Sequence, residues 1–206
     1  MQAIVGDDPK LYRVCQAMFG CGLPGVLEMT SPVKDLETAK KAVKDAGYKG
    51  EKVVMLDSTD YSFISSGAKI AADLMTKLGM NVELQPMDFP TLLQRRASKE
   101  PVERGGWSMF STVNDLLSLQ NPGINFYVRG WVGGYSNEEI NKLTEQWLAA
   151  ANPSELQKIS EQIQKVSFDD VPFIPLGQWQ SRSAYRKNLT GVVAASTPVF
   201  WGVKRA

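Results

Sequence analysis

The sequence of 206 residues contains no histidine at all and only two cysteines. Histidine is the commonest general base and a frequent metal ligand, so its absence excludes every Ser-His and Cys-His catalytic arrangement. The phosphate-binding glycine motifs and the G-x-S-x-G nucleophile motif are also missing. An enzyme would have to use carboxylates, lysines or tyrosines, and we expect no catalytic residue, no metal site and no cofactor.

Long hydrophobic runs and an excess of charge are missing as well. No apolar stretch approaches the roughly 20 residues that span a bilayer, and the N-terminus lacks the pattern of a secretory signal. The 23 basic and 22 acidic side chains give a net charge of +1. Bulk attraction to nucleic acid or to an anionic membrane is therefore not expected, and the partner should be a small molecule or a protein.

The two cysteines, Cys15 and Cys21, do not have the spacing of a redox or zinc motif. A zinc site would also lack partners, because the chain has no histidine and no third cysteine. The residues leave open a short-range disulfide and two buried free thiols. The disulfide is expected only if the protein is exported to an oxidising compartment.

The middle of the chain alternates strand and helix patterns. A run rich in β-branched residues at 52–57 predicts a strand, an amphipathic stripe at 62–78 predicts a helix, and alternation at 80–88 predicts a second strand. A helix capped by Asp88 and a strand at 107–111 follow. These patterns predict an α/β fold in which a mixed sheet is flanked by helices, with a right-handed βαβ crossover.

Helical spacing is also present at both ends of the chain. It predicts a helix within residues 8–19, a helix after an Asp35 N-cap, and a hairpin of two helices starting at a Ser136 capping box and at Asn152. After residue 170 the chain consists of short β-like runs broken by proline and glycine, which is typical of edge or connecting strands.

Polar loops at strand ends provide the candidate site. One follows the strand at 52–57, a second follows Phe110, and a third lies among glycines at 127–135. Loops at the carboxyl ends of parallel strands are where α/β proteins bind ligands, although the same residues also cap helices and form turns. We predict that ligand contacts come from Thr59, Asp60, Tyr61, Asn114, Asp115 and Trp131.

The order of these elements, together with "DFPTLLQRRASKEP", "DDVPFIPLGQW", "NLTGV" and "FWGV", resembles a known family. The chain is similar to the C-terminal lobe of family 5 extracellular solute-binding proteins, the dipeptide, oligopeptide and nickel receptors of ABC importers. The resemblance implies a lobe of the type II periplasmic-binding-protein fold spanning residues 1–206, excised from a longer two-lobed protein. It also implies a periplasmic or extracellular location and a membrane permease as partner.

The sequence departs from the dipeptide receptors of that family in two places. Where they carry an acid for the ligand amine, this chain has "STVNDLLSLQNP", with Asp115 out of register. Where they carry an arginine for the ligand carboxylate, it has Ser58, Thr59 and Asp60. A buried charged group without a partner costs several kcal/mol. A longer peptide, a modified amino acid or a neutral polar solute is therefore expected instead of a free dipeptide.

The leading hypothesis is thus a solute-binding lobe without catalysis, acting as a monomer with a peptide-like or other small polar solute. One alternative is a small α/β enzyme that uses Asp60 or Asp115 as a base. Another is a sensing or interaction module that uses the same fold but binds no solute.

Overall fold

The computed structural model describes residues 1–23, 26, 28, 35–130 and 132–206. Three strands form a parallel sheet with helices on both faces, and two further ladders of two strands each lie outside it. The helices are α1 (Gln2–Val5), α2 (Leu36–Asp45), α3 (Ser62–Lys77), α4 (Phe89–Arg95), α5 (Glu138–Ala149) and α6 (Pro153–Asp170). The strands are β1 (Tyr12–Arg13), β2 (Lys52–Ser58), β3 (Asn81–Met87), β4 (Met109–Phe110), β5 (Gln178–Trp179), β6 (Leu189–Thr190) and β7 (Lys204–Arg205).

Strand β2 lies in the centre of the sheet and pairs in parallel with β3 on one side and β4 on the other. Its side chains are buried on both faces, because Val54 and Leu56 pack with Leu92 of α4 while Met55 packs with Ala68 of α3. A strand covered on both faces reads as a continuous apolar run rather than an alternation. The prediction of a βαβ unit from this run is confirmed.

Most predicted helix starts are confirmed by their capping hydrogen bonds. The side chain of Asp35 accepts from the Thr38 amide at 2.7 Å, that of Asp88 from the Thr91 amide at 2.8 Å, and that of Asn152 from the Glu155 amide at 3.0 Å. Each acceptor satisfies an amide that has no partner inside its helix.

The predicted cap at Ser136 is wrong by one residue. Asn137 is the N-cap of α5, and its side-chain oxygen accepts from the Ile140 amide at 3.0 Å. Asparagine and serine are comparable caps, so two adjacent candidates cannot be ranked from the residue types alone. Asn137 also donates to Asp170 at 2.7 Å, and this contact with the end of α6 favours the later start.

The predicted helix within residues 8–19 is wrong. Tyr12 and Arg13 are extended and pair antiparallel with Trp179 and Gln178 of β5. A disulfide then joins Cys15 to Cys21, with their Cα atoms 5.7 Å apart. Pairing with a strand more than 160 residues away in the chain and a covalent link override the local helical spacing, since propensity is a weak prior against tertiary contacts.

A second core forms around the hairpin of α5 and α6. Ile140 and Ile163 are fully buried there and pack with Met18, Phe19 and Val128. The buried amide of Asn125 donates to the Met18 carbonyl at 2.9 Å. The hairpin therefore packs against the disulfide-closed segment, through Met18 and Phe19, and against Val128 of the third predicted loop.

The remaining β-like runs are confirmed only as short ladders. Strand β5 arises from the proline-containing run and pairs with β1 alone, while β6 pairs with β7 near the C-terminal end. Antiparallel pairing among the described residues thus occurs outside the central sheet. Among all the described residues, no helix combines the length and apolar character needed to cross a membrane.

Replacing both cysteines, Cys15→Ala with Cys21→Ala, should lower the free energy of unfolding by roughly 2 kcal/mol, because the link no longer restricts the unfolded chain. Urea denaturation followed by circular dichroism measures the loss. Reductant should lower the stability of the wild type by a similar amount and leave the double variant unchanged. Equal sensitivity of the wild type and the double variant to reductant would contradict a disulfide between Cys15 and Cys21.

Gly130→Ala should be strongly destabilising, by more than about 3 kcal/mol. Gly130 has φ +84°, and a Cβ there would lie 1.6 Å from the Tyr135 carbonyl oxygen. Gly134 is a matched control, since its φ is +78° but no heavy atom lies within 4 Å of its Cβ position. Gly134→Ala should cost only the backbone strain, about 1–2 kcal/mol. Equal thermal denaturation midpoints for the two variants would disprove the close approach of Gly130 to the Tyr135 carbonyl.

Candidate functional site

The loops after β2 and β3 are joined to each other by hydrogen bonds. The amide and the hydroxyl of Thr59 both donate to the Met87 carbonyl, at 2.9 and 3.1 Å. The Asp60 carboxylate accepts from the Phe89 amide at 2.8 Å. Two of the predicted ligand residues thus fix the relative position of the loops, so they shape the edge of the sheet even without a ligand.

Tyr61 precedes α3 and belongs to a continuous row of aromatic rings. Its ring meets that of Phe89 edge-on at 5.1 Å and that of Phe63 at 5.6 Å, and Phe63 in turn lies 6.1 Å from Trp179. We call these four residues the aromatic strip. The side chain of Tyr61 is 43% exposed, so one ring of the strip remains open to a ligand beside the two joined loops.

The loop after β4 is held by its own side chains. The Asp115 carboxylate accepts from the amide and the hydroxyl of Ser118, each at 3.1 Å, and thereby caps the 3₁₀ turn Leu116–Leu119. The Asn114 side-chain amide donates to the Tyr127 hydroxyl at 2.6 Å. The side-chain oxygen of Asn114 is exposed and accepts no hydrogen bond from the described residues, so it is available to a ligand.

A partly buried phenol, Tyr127, and a partly buried guanidinium, Arg96, lie close to this loop. Burial raises the pKa of Tyr127, and the hydrogen bond from Asn114 and the charge of Arg96 oppose that shift. Burial lowers the pKa of Arg96, whose guanidinium carbon lies 5.7 Å from the centre of the Phe110 ring. Tyr127 therefore remains a neutral hydroxyl at ordinary pH and positions the Asn114 amide.

The structure places the predicted residues in two groups. Thr59, Asp60 and Tyr61 follow β2, whereas Asn114 and Asp115 follow β4. These strands are neighbours, with Leu56 paired to Phe110, so both groups leave the same carboxyl edge of the sheet. The contacts of the described residues do not join one group to the other. Trp131, the sixth predicted residue, lies outside the described residues.

Asp57 is a buried acid that the sequence prediction did not select. It is 1% exposed, and one carboxylate oxygen lies 4.0 Å from the ammonium group of Lys69. Its other oxygen and the buried hydroxyl of Ser58 find no hydrogen-bond partner among the described residues. The signal in the sequence that could have identified Asp57 is an acid at the end of an apolar run, because a charge is rarely placed there.

Two grooves are well defined in the described part of the chain. One of about 480 Å³ lies between α1, the start of α3 and β5, and one of about 260 Å³ lies beside Trp107 and Tyr135. None of the five described predicted residues lines either groove. Among the residues described, no group of acids and cysteines is arranged to hold a metal ion.

The chain is similar along its whole length to a known protein. It is 36% identical over 215 residues to a probable peptide ABC transporter periplasmic-binding protein of Sinorhizobium fredii. The alignment covers 100% of this chain but only 40% of that relative. No family model matches the sequence.

Solved structures of similar fold are also binding proteins. A dipeptide-binding protein from a Pseudoalteromonas species, in complex with Met-Leu, has a TM-score of 0.73 at 15% identity over 100% of this chain and 42% of its own. The periplasmic binding protein DppA of Helicobacter pylori, in complex with the peptide STSA, has a TM-score of 0.73 at 18% identity over 95% of this chain and 39% of its own. At these identities the likeness shows the fold alone.

The fold is therefore that of an α/β lobe of the periplasmic-binding-protein type, as the resemblance implies. The similarity in sequence to a probable peptide ABC transporter periplasmic-binding protein agrees with the resemblance to the family 5 extracellular solute-binding proteins. The chain spans about two fifths of the length of the relative that it matches in sequence.

Tyr135 should make stability depend on alkaline pH. Burial and its hydrogen bond to Asp170 raise the pKa of this phenol from 10.0 to about 12. The folded state therefore holds the proton more tightly, and the resulting stabilisation is complete below pH 10 and disappears as the pH rises to about 12. Urea titrations across this range should show a steeper loss for the wild type than for Tyr135→Phe.

The exposed Tyr185 provides the control for this measurement. Tyr185→Phe should follow the wild type, because its ring is 60% exposed and makes no hydrogen bond to the described residues. A wild-type pH profile that matches the Tyr135→Phe profile would contradict the raised pKa of Tyr135 and its hydrogen bond to Asp170.

Proposed function

We propose that the chain is one lobe, residues 1–206, of a two-lobed solute-binding protein that delivers a small solute to an ABC importer. The observation that carries the proposal is the convergence of the loops after β2, β3 and β4 on one edge of a parallel sheet. Ligands of open α/β sheets bind outside the carboxyl ends of the strands. The similarity to a probable peptide-binding receptor supports a peptide-like solute.

The contacts of the loops favour a solute held by neutral groups. Asn114 offers a free side-chain oxygen, and Tyr61 offers an exposed ring. The carboxylates of Asp60 and Asp115 also accept backbone amides, so part of their acceptor capacity is used within the protein. A peptide longer than two residues suits such a site, because its backbone amides can donate to Asn114 while its side chains lie against the ring.

The second lobe and the permease are parts of the same proposal. Type II binding proteins close two lobes around the ligand by hinge motion, and closure excludes water from the contacts. A location outside the cytoplasmic membrane follows from this role, and the Cys15–Cys21 disulfide is consistent with an oxidising compartment. We expect a monomer whose closed state is recognised by a membrane permease.

The enzyme alternative finds less support in the geometry. A catalytic carboxylate needs a pocket and a second group placed to share its proton. The carboxylates of Asp60 and Asp115 accept hydrogen bonds that close a loop and cap a turn. Neither lines the groove of about 480 Å³ or the groove of about 260 Å³.

The test uses the complete two-lobed protein and a panel of tripeptides, dipeptides, free amino acids and sugars in thermal-shift assays. Tripeptides should raise the melting temperature more than dipeptides of the same residues, because binding to the folded state alone stabilises it. No stabilisation by any class would contradict the transport proposal and favour the interaction module.

A matched pair of asparagine variants then tests the site itself. Asn114→Ala should weaken tripeptide binding roughly two- to tenfold in calorimetry, the effect of one lost hydrogen bond. Asn141, which is exposed on α5, serves as the control, and Asn141→Ala should bind like the wild type. Equal affinities for both variants would exclude a ligand contact at Asn114.

A further inference from the structure

The groove of about 480 Å³ lies outside the loops that carry the proposed function, yet it adjoins them. Phe63 and Trp179 both line it and are also the last two members of the aromatic strip. The strip continues from Phe63 to Tyr61 at a ring distance of 5.6 Å. A solute lying against Tyr61 therefore has an unbroken apolar path into the groove.

The walls of the groove suit a long apolar stem. Leu11, Phe63 and Trp179 supply aliphatic and aromatic surface, and α1 packs against α3 to complete the floor. Its volume falls within the range of about 300–1,000 Å³ that is typical of small-molecule sites.

The charges at the rim define the head group of the occupant. Asp7, Asp8 and Arg182 line the groove. Asp8 is already satisfied, because it pairs with Arg182 at 2.9 Å and accepts from the Lys10 amide at 3.0 Å. The exposed carboxylate of Asp7 has no ion pair or hydrogen bond among the described residues. Two carboxylates facing one guanidinium leave a net negative charge beside aromatic faces, a combination that attracts cations.

We propose that the groove is a subsite for a basic side chain of the solute, with an apolar stem along Leu11, Phe63 and Trp179 and a cationic head at Asp7. A lysine or arginine side chain of a peptide has this form, since its methylene stem packs on apolar surface while its head stays in water. The inference rests on the proposed function, because it assigns a class of peptide to the same binding edge.

The test compares two tripeptides, Ala-Lys-Ala and Ala-norleucine-Ala, which share the stem and differ in the charged head. NMR titration of the 206-residue chain follows the indole N–H signal of Trp179, which reports on the groove itself. The lysine peptide should shift this signal and bind about two- to fivefold more tightly than the norleucine peptide, the range for an exposed ion pair. High salt should remove the difference.

Asp7→Asn should remove the preference for lysine and leave the affinity for the norleucine peptide unchanged. Asp73→Asn is the matched control, because Asp73 is an exposed acid on the same helix as Phe63, about 15 Å further along. The Asp73→Asn variant should still bind the lysine peptide more tightly than the norleucine peptide.

Three results would overturn the inference, and only the last of them also removes the proposed function. Equal binding of both peptides to the wild type, or a preference that survives Asp7→Asn, removes the basic subsite but not the solute-binding function. If neither peptide binds and the complete protein also binds no peptide, the proposed function fails as well.

Discussion

The pairing of β2 between β3 and β4 is the constraint on which the rest of this structure depends. Because all three strands run in parallel, their carboxyl ends meet at one edge, and the loops that follow them must leave from there. Helices α3 and α4 bury opposite faces of β2 and thereby hold this strand in the core. A shift of one residue in its register would exchange Met55 and Leu56 between the two faces.

The polar groups at this edge make structural contacts, and in the proposed function they also meet the solute. Thr59 and Asp60 join two loops, Asp115 caps a turn, and Asn114 is oriented by the partly buried Tyr127. Such contacts hold ligand-facing atoms in place before binding, and preorganisation reduces the entropy lost on association. The amide hydrogen bonds accepted by Asp60 and Asp115 are consistent with the proposal of a solute held mainly by neutral groups.

The sequence predicted the parts of the fold that local patterns determine. The run at 52–57, the helix stripe at 62–78 and the Asp35, Asp88 and Asn152 caps all follow from periodicity and from the chemistry of the first turn. The helix expected within residues 8–19 failed, because the extended state of Tyr12 depends on Trp179, far away in the chain. The sequence also did not predict that Asp60 joins two loops or that Asp115 caps a turn, because a residue type does not reveal which amide its carboxylate will accept.

Hydrogen exchange on the complete protein, with and without a bound tripeptide, tests the central claim most directly. Amides in the loops after β2, β3 and β4, at 59–61, 88–89 and 111–115, should become protected together when the solute binds, because all three belong to one edge. Protection confined to the ladder of β6 and β7 or to the hairpin of α5 and α6, with these three loops unchanged, would contradict the account.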